Sequence, residues 1–194
     1  MLQQHILKLL CTNSIIPATR SIDDFNFAVE KTISPSVILL FGDIILLPSL
    51  LEHAKHYHKR LFVHLDLLNG IGRDESGIKF LARMGVAGLI TTKSHLCRFA
   101  RNEGMLVIQR VFLTDSDAMR TGIHLLRNVK PDAVELLPAS IPARVVDYFI
   151  KETGLPILGG GLMYTREDIQ QALDHGMAAV STSNRELWQD LINK

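Results

Sequence analysis

Short, unbroken apolar runs recur along this chain, each followed by a segment whose apolar residues return every three or four positions. An unbroken run marks a parallel strand covered on both faces, and the longer spacing marks an amphipathic helix. The runs are Ile15 to Thr19, Val37 to Phe41, Leu61 to Asp66, Gly88 to Thr92, Met105 to Phe112 and Asp132 to Leu137. Two further short strands fall inside Gly154 to Met163 and Ala178 to Asn184. Between them the pattern predicts helices capped by Ser21, opened by Pro48, and running from Glu75 to Met84. Others are capped by Ser94, begun at Asp115, opened by Pro142, and begun at Thr165. A short helix from Met1 to Leu10 and a terminal one from Glu186 to Ile192 around Trp188 complete the series.

Roughly eight strands alternating with helices call for a parallel sheet. The predicted fold is α/β: a compact (β/α)8 TIM-type barrel, a single domain over residues 1–194 with short loops. At 194 residues the chain sits just below the usual lower size of about 200 for a closed barrel, which leaves no room for a lid or second domain. An open doubly wound sheet would use fewer strands and place its glycine loop after the first of them. Here the glycines come late.

Gly159, Gly160 and Gly161 let backbone N–H groups approach a ligand with no Cβ in the way. Ser181, Thr182, Ser183 and Asn184 follow the next strand and stand beside a helix start, where free N–H groups favour an anion. Such a pair at the end of a barrel matches the phosphate site after strands seven and eight. The plainer reading is a tight turn and a helix cap.

Polar residues at the C-terminal ends of barrel strands face a shared mouth, and here they are Arg20, Asp43, Asp66, Lys93, Arg110 and Glu135. Strand alternation puts Asp66 on one face with His64, Arg110 with Ile108, and Glu135 with Ala133. Ionised groups in an apolar barrel need partners, so Asp66, Lys93, Arg110 and Glu135 are expected to cluster. That cluster could catalyse acid–base chemistry, hold a polyol, or serve as an internal ion-pair network.

Composition narrows the classes. The net charge is +1, giving no global electrostatic reason for nucleic-acid or membrane binding. No apolar run reaches the roughly 20 residues that span a bilayer, and no cleavable signal pattern opens the chain. Cys11 and Cys97 form no metal-ligand spacing and read as reduced, cytoplasmic residues. His53, His56 and His58 fall in one predicted helix, where only His53 and His56 could meet on one face, and no third ligand is nearby in sequence, which reads as a solvated face rather than a metal site. The basic groups Lys55, Lys59, Arg60 and Lys93, Arg98, Arg101 could touch RNA phosphates, but no aromatic residues interleave with them. No catalytic motif, metal motif or cofactor motif is present.

Three stretches resemble one family: Ile15-Ile-Pro-Ala-Thr-Arg, Val63-His-Leu-Asp-Leu-Leu-Asn-Gly-Ile-Gly-Arg-Asp, and Leu155-Pro-Ile-Leu-Gly-Gly-Gly-Leu. Gly88-Leu-Ile-Thr-Thr-Lys, Gln109-Arg-Val-Phe-Leu and Val134-Glu-Leu-Leu-Pro match it too. The chain is similar over nearly its whole length to the glycerol-3-phosphate-responsive antiterminators of bacterial glycerol-uptake operons. The resemblance implies a non-enzymatic regulator of transcription antitermination that binds glycerol 3-phosphate and leader mRNA, so that transcription passes a terminator. On the matching motifs it places the phosphate against Gly160, Gly161, Ser183 and Asn184, and the glycerol hydroxyls near some of Asp66, Lys93, Arg110 and Glu135. A dimer would widen a small RNA footprint, although the chain carries no oligomer signature. The competing class is an isomerase, aldolase or phosphodiesterase on the same scaffold, since barrels host many chemistries.

Overall fold

The structure is a computed structural model and describes residues 2–192. Eight parallel strands close into a barrel in sequence order. They are β1 (Ile15–Thr19), β2 (Ser36–Leu39), β3 (Arg60–His64), β4 (Gly88–Thr91), β5 (Leu106–Phe112), β6 (Ala133–Leu137), β7 (Ile157–Gly160) and β8 (Ala179–Thr182). Helix α1 (Leu2–Leu10) precedes β1. The crossovers carry α2 (Ile22–Lys31), α3 (Leu47–His56), α4 (Glu75–Met84), α5 (Ser94–Asn102), α6 (Ser116–Val129), α7 (Ala143–Thr153) and α8 (Arg166–Asp174). This is the (β/α)8 TIM barrel that the hydrophobic pattern predicts.

Local chemistry sets the helix ends. Ser21, Asp74, Asp115 and Thr165 each accept a backbone N–H from three residues on, satisfying a donor that the first turn leaves open. Thr165 and Asp168 do this reciprocally. Gly85 and Gly154 end α4 and α7 in the left-handed region, at φ of 94° and 66°.

Three expectations need correction. Ser94 does not cap α5: Lys93 holds the cap position with no side-chain bond, and Ser94 is the first helical residue. Strand β3 stops at His64, and a 3₁₀ turn over Leu65–Leu67 carries Asp66. Alternation therefore does not extend from His64 to Asp66. The last helical segment, Arg185–Leu191, is 3₁₀ rather than α.

Strand alternation sorts the core into two clusters. Outward residues such as Val37, Leu61, Val63, Val107, Val134 and Val180 pack against the helices. Inward residues Ile16, Ile38, Phe62, Ile90, Ile108, Ala133, Leu158 and Ala179 fill the barrel. Ile6 and Leu10 of α1 belong to this inner cluster. Ser36, the first residue of β2, donates its hydroxyl to the Leu10 carbonyl at 2.5 Å. Helix α1 thus lies across the N-terminal ends of the strands and stops the barrel from below.

Candidate ligand site at the barrel mouth

Above the apolar filling the inward positions change character. Two residues past Ile108 comes Arg110, two past Ala133 comes Glu135, two past Phe62 comes His64, and two past Ala179 comes Ser181. Arg110 and Glu135 are register partners on β5 and β6. Arg110 Nε donates to Glu135 Oε2 at 2.6 Å, and the Glu135 side chain is only 1% exposed. The other carboxylate oxygen accepts from Ser181 Oγ at 2.5 Å, reaching past β7 to β8. A Cβ on Gly160 would lie 3.0 Å from Glu135 Oε1 and 3.1 Å from Ser181 Oγ. The middle glycine is what lets those two groups meet.

The three glycines thus have different surroundings. Gly159 faces the helix layer, where a Cβ would sit 2.4 Å from Met177 Sδ and 2.8 Å from Ala139 Cβ. Gly160 belongs to the interior, beneath the mouth. Gly161 has φ +74° and lines an open cleft with Leu162, Met163 and Tyr164. That cleft, of about 380 Å³, is completed by Ala18, Arg20, Leu40, Arg110, Leu137, Ser181, Thr182, Ser183 and Asn184. Arg20 Nε donates to Ser183 Oγ at 3.3 Å across the β1–β8 seam, and Arg20 makes no ion pair among the described residues. Its charge stands at the rim without a carboxylate to neutralise it. Thr182 Oγ1 accepts from Asn184 N–H. Asn184 caps the 3₁₀ segment through Glu186 N–H, and its amide donates to the Tyr164 carbonyl at 3.3 Å.

Of the four charges expected together, the structure pairs Arg110 with Glu135. Asp66 is held on the β3–β4 side. Its carboxylate accepts from Thr91 Oγ1 at 2.9 Å and from Thr92 N–H and Oγ1 at 2.8 Å each. Burial works against its charge, but these bonds outweigh burial and hold the carboxyl below its ordinary pKa. Lys93 is exposed, and its backbone N–H bonds Thr91 Oγ1. Asp43 is occupied in its own turn, accepting from the Ile45 and Leu46 N–H groups.

Sequence reasoning missed the apolar side of the cleft, Leu162 to Tyr164, because the loop after β7 carries no periodicity. It named His64 only as a neighbour of Asp66 and gave it no role, although parity with Phe62 turns it inward. A wider depression of about 720 Å³ lies on the outer layer beside α3, but it is remote from the strand C-terminal ends and from these charges. His53 meets Glu30, with Nε2 3.2 Å from Oε1. Burial pushes the Cys11 and Cys97 thiols up to about 11 and about 12, away from reactive thiolates.

The fold and the position of its polar layer define a TIM barrel with a small cleft where β1, β7 and β8 open. The glycerol-3-phosphate responsive antiterminator family model matches residues 15–188, spanning all eight strands. The chain belongs to that family. It is 34% identical to a glycerol uptake operon antiterminator regulatory protein from Listeria monocytogenes str. 4b F2365, whose crystal structure superimposes with a TM-score of 0.86 over 92% of this chain and 96% of that one. A glycerol uptake operon antiterminator-related protein from Thermotoga maritima MSB8 is 33% identical, with a TM-score of 0.80 over 91% and 98% of the two chains. An uncharacterized Escherichia coli (strain K12) protein, YgcP, is 30% identical over 94% of this chain and 95% of its own. Orotidine 5'-phosphate decarboxylase from Pyrococcus horikoshii OT3 shares the fold alone, at 14% identity and a TM-score of 0.62 over 87% and 88% of the chains.

Proposed function

We propose that this protein binds glycerol 3-phosphate in the β1–β7–β8 cleft and, when liganded, binds leader mRNA to permit readthrough of a terminator controlling glycerol-uptake genes. The observation that carries the ligand reading is the cleft's division into two chemistries. At the rim, Arg20, Ser183 and Gly161 offer a cation, a hydroxyl and open backbone to a phosphate. Deeper, Arg110 and Ser181 line the same cleft and converge on Glu135, a setting of donors and acceptors suited to hydroxyls. A polyol phosphate has both ends.

Family membership supports the RNA half of the reading. No helix among the described residues is long and apolar enough to cross a membrane. Tyr164 is 71% exposed and Phe112 is 56% exposed at the C-terminal ends of β7 and β5, on the face that holds the cleft. Aromatic faces there can stack unpaired bases while Arg20 and its neighbours meet phosphates. To act as a switch, the ligand must bind the RNA-competent state better than the other. Taking such an equilibrium from mostly off to mostly on needs roughly 5.5 kcal/mol of differential affinity.

Melting the protein with glycerol 3-phosphate, glycerol or inorganic phosphate tests the ligand, and a gel shift with its own leader RNA tests the partner. Glycerol 3-phosphate at a hundredfold excess over Kd is expected to stabilise by roughly 2.7 kcal/mol, with RNA retained only in its presence. No specific shift, or ligand-independent RNA binding, would remove the respective half.

A further inference from the structure

His64 closes β3 and stands two residues beyond Phe62, so alternation turns its imidazole into the barrel where the filling changes from apolar to charged. The residue is 3% exposed, yet neither Nδ1 nor Nε2 has a hydrogen-bond partner. The great majority of buried polar atoms in proteins are hydrogen-bonded, and an orphaned pair costs stability. The neighbouring carboxylates are engaged elsewhere, Asp66 by Thr91 and Thr92 and Glu135 by Arg110 and Ser181. Burial, reinforced by the Arg110 charge, pushes the ring's pKa down to about 4, against the pull of Asp66 and Glu135. The ring is therefore neutral at pH 7.

A neutral imidazole offers one donor and one acceptor on diverging sides of the ring, which two hydroxyls of a polyol can meet, one accepting and one donating. A phosphate dianion offers acceptors alone and would leave one ring nitrogen unpaired. Arg110 connects the two places: it lines the cleft, and it shares with His64, which lies behind that lining, the inward layer one step above the apolar filling. We propose that His64 reads the hydroxyl end of the bound polyol phosphate, setting specificity for a hydroxylated carbon chain over a bare phosphate. The proposal rests on the glycerol 3-phosphate reading above and adds to it a residue to which no role is yet assigned.

Calorimetric titration of the full chain with glycerol 3-phosphate and, separately, inorganic phosphate tests it in wild type, His64→Leu and His64→Gln. His64→Leu is expected to weaken glycerol 3-phosphate by about tenfold, the worth of a well-made hydrogen bond, while leaving phosphate affinity unchanged. His64→Gln, which keeps a donor and an acceptor, should recover part of the loss. In wild-type protein the His64 ring nitrogen resonances should shift on adding glycerol 3-phosphate and stay in place with phosphate. This second measurement decides the matter if either variant fails to fold. Undiminished glycerol 3-phosphate affinity in His64→Leu, equal losses for both ligands, or ring resonances indifferent to glycerol 3-phosphate would overturn the assignment. Wild-type protein that binds phosphate but shows no preference for glycerol 3-phosphate would instead overturn the ligand reading, and His64's role with it.

Discussion

The interior of the barrel has two levels built on the same strands, and they follow opposite rules. The lower level is Ile16, Ile38, Phe62, Ile90, Ile108, Ala133, Leu158 and Ala179, each almost fully buried and none with a polar side chain. The upper level, one inward step along, holds His64, Arg110, Glu135 and Ser181. Apolar burial contributes about 25 cal/mol per Å² and needs no particular partner. A buried ion pair roughly breaks even against its desolvation cost and depends on every bond being made. The lower level therefore serves stability, and the upper level, which adds little to it, is the one for which recognition is proposed.

The largest expected effect comes from breaking the lower level. Phe62→Ala should cost about 3–5 kcal/mol in urea unfolding, since a fully buried ring leaves a cavity. The folded protein should still bind glycerol 3-phosphate with wild-type affinity; a parallel loss of affinity would mean that the levels are not separable. Next comes Glu135→Ala, which strands the Arg110 cation. A cost of about 3 kcal/mol is expected, at the low end for a buried pair because the Arg110 side chain is 11% exposed. Pairing Arg110→Met with Glu135→Leu should return stability to within about 1 kcal/mol of wild type while abolishing ligand binding. If the double variant stays as unstable as the single one, the pair is a structural staple rather than a recognition device.

The smallest effect is a pH dependence. The folded-state pKa of His64 is lowered to about 4 from an ordinary 6.5, so the unfolded chain takes up the proton first as pH falls. Stability owed to the neutral ring is complete above pH 6.5 and is lost progressively toward pH 4. At pH 5 the loss is about 2 kcal/mol, and His64→Leu should lack it. Unfolding curves at pH 7 and pH 5 that fall equally in both proteins would place the acid sensitivity elsewhere.

The barrel was legible in the sequence because its strands are buried on both faces and its helices are capped by side chains that sequence displays, such as Asp74, Asp115 and Thr165. The charged residues at strand ends were legible too. Their partners were only partly so, because pairing depends on register. Arg110 and Glu135 meet as neighbours across β5 and β6. Asp66 instead turns with the 3₁₀ segment that ends β3 and is taken up by two threonines. The triple glycine reads as one motif but divides into a packing position, a gap for the Glu135–Ser181 bond, and a positive-φ turn at the cleft. Only three-dimensional neighbours distinguish those uses.

The apolar filling of the lower level, with α1 beneath it, makes the barrel a cup rather than a tube. A tube could be loaded from one side while a macromolecule occupied the other; a cup has one door. Ile22, Ile45, Leu67, Phe112, Leu162 and Tyr164, all exposed, surround that door at the C-terminal ends of the strands or the segments just after them. A macromolecule seated across such a rim would govern how long a small molecule beneath it stays, so the proposed ligand's residence time and the proposed RNA's occupancy would be linked through a single exit.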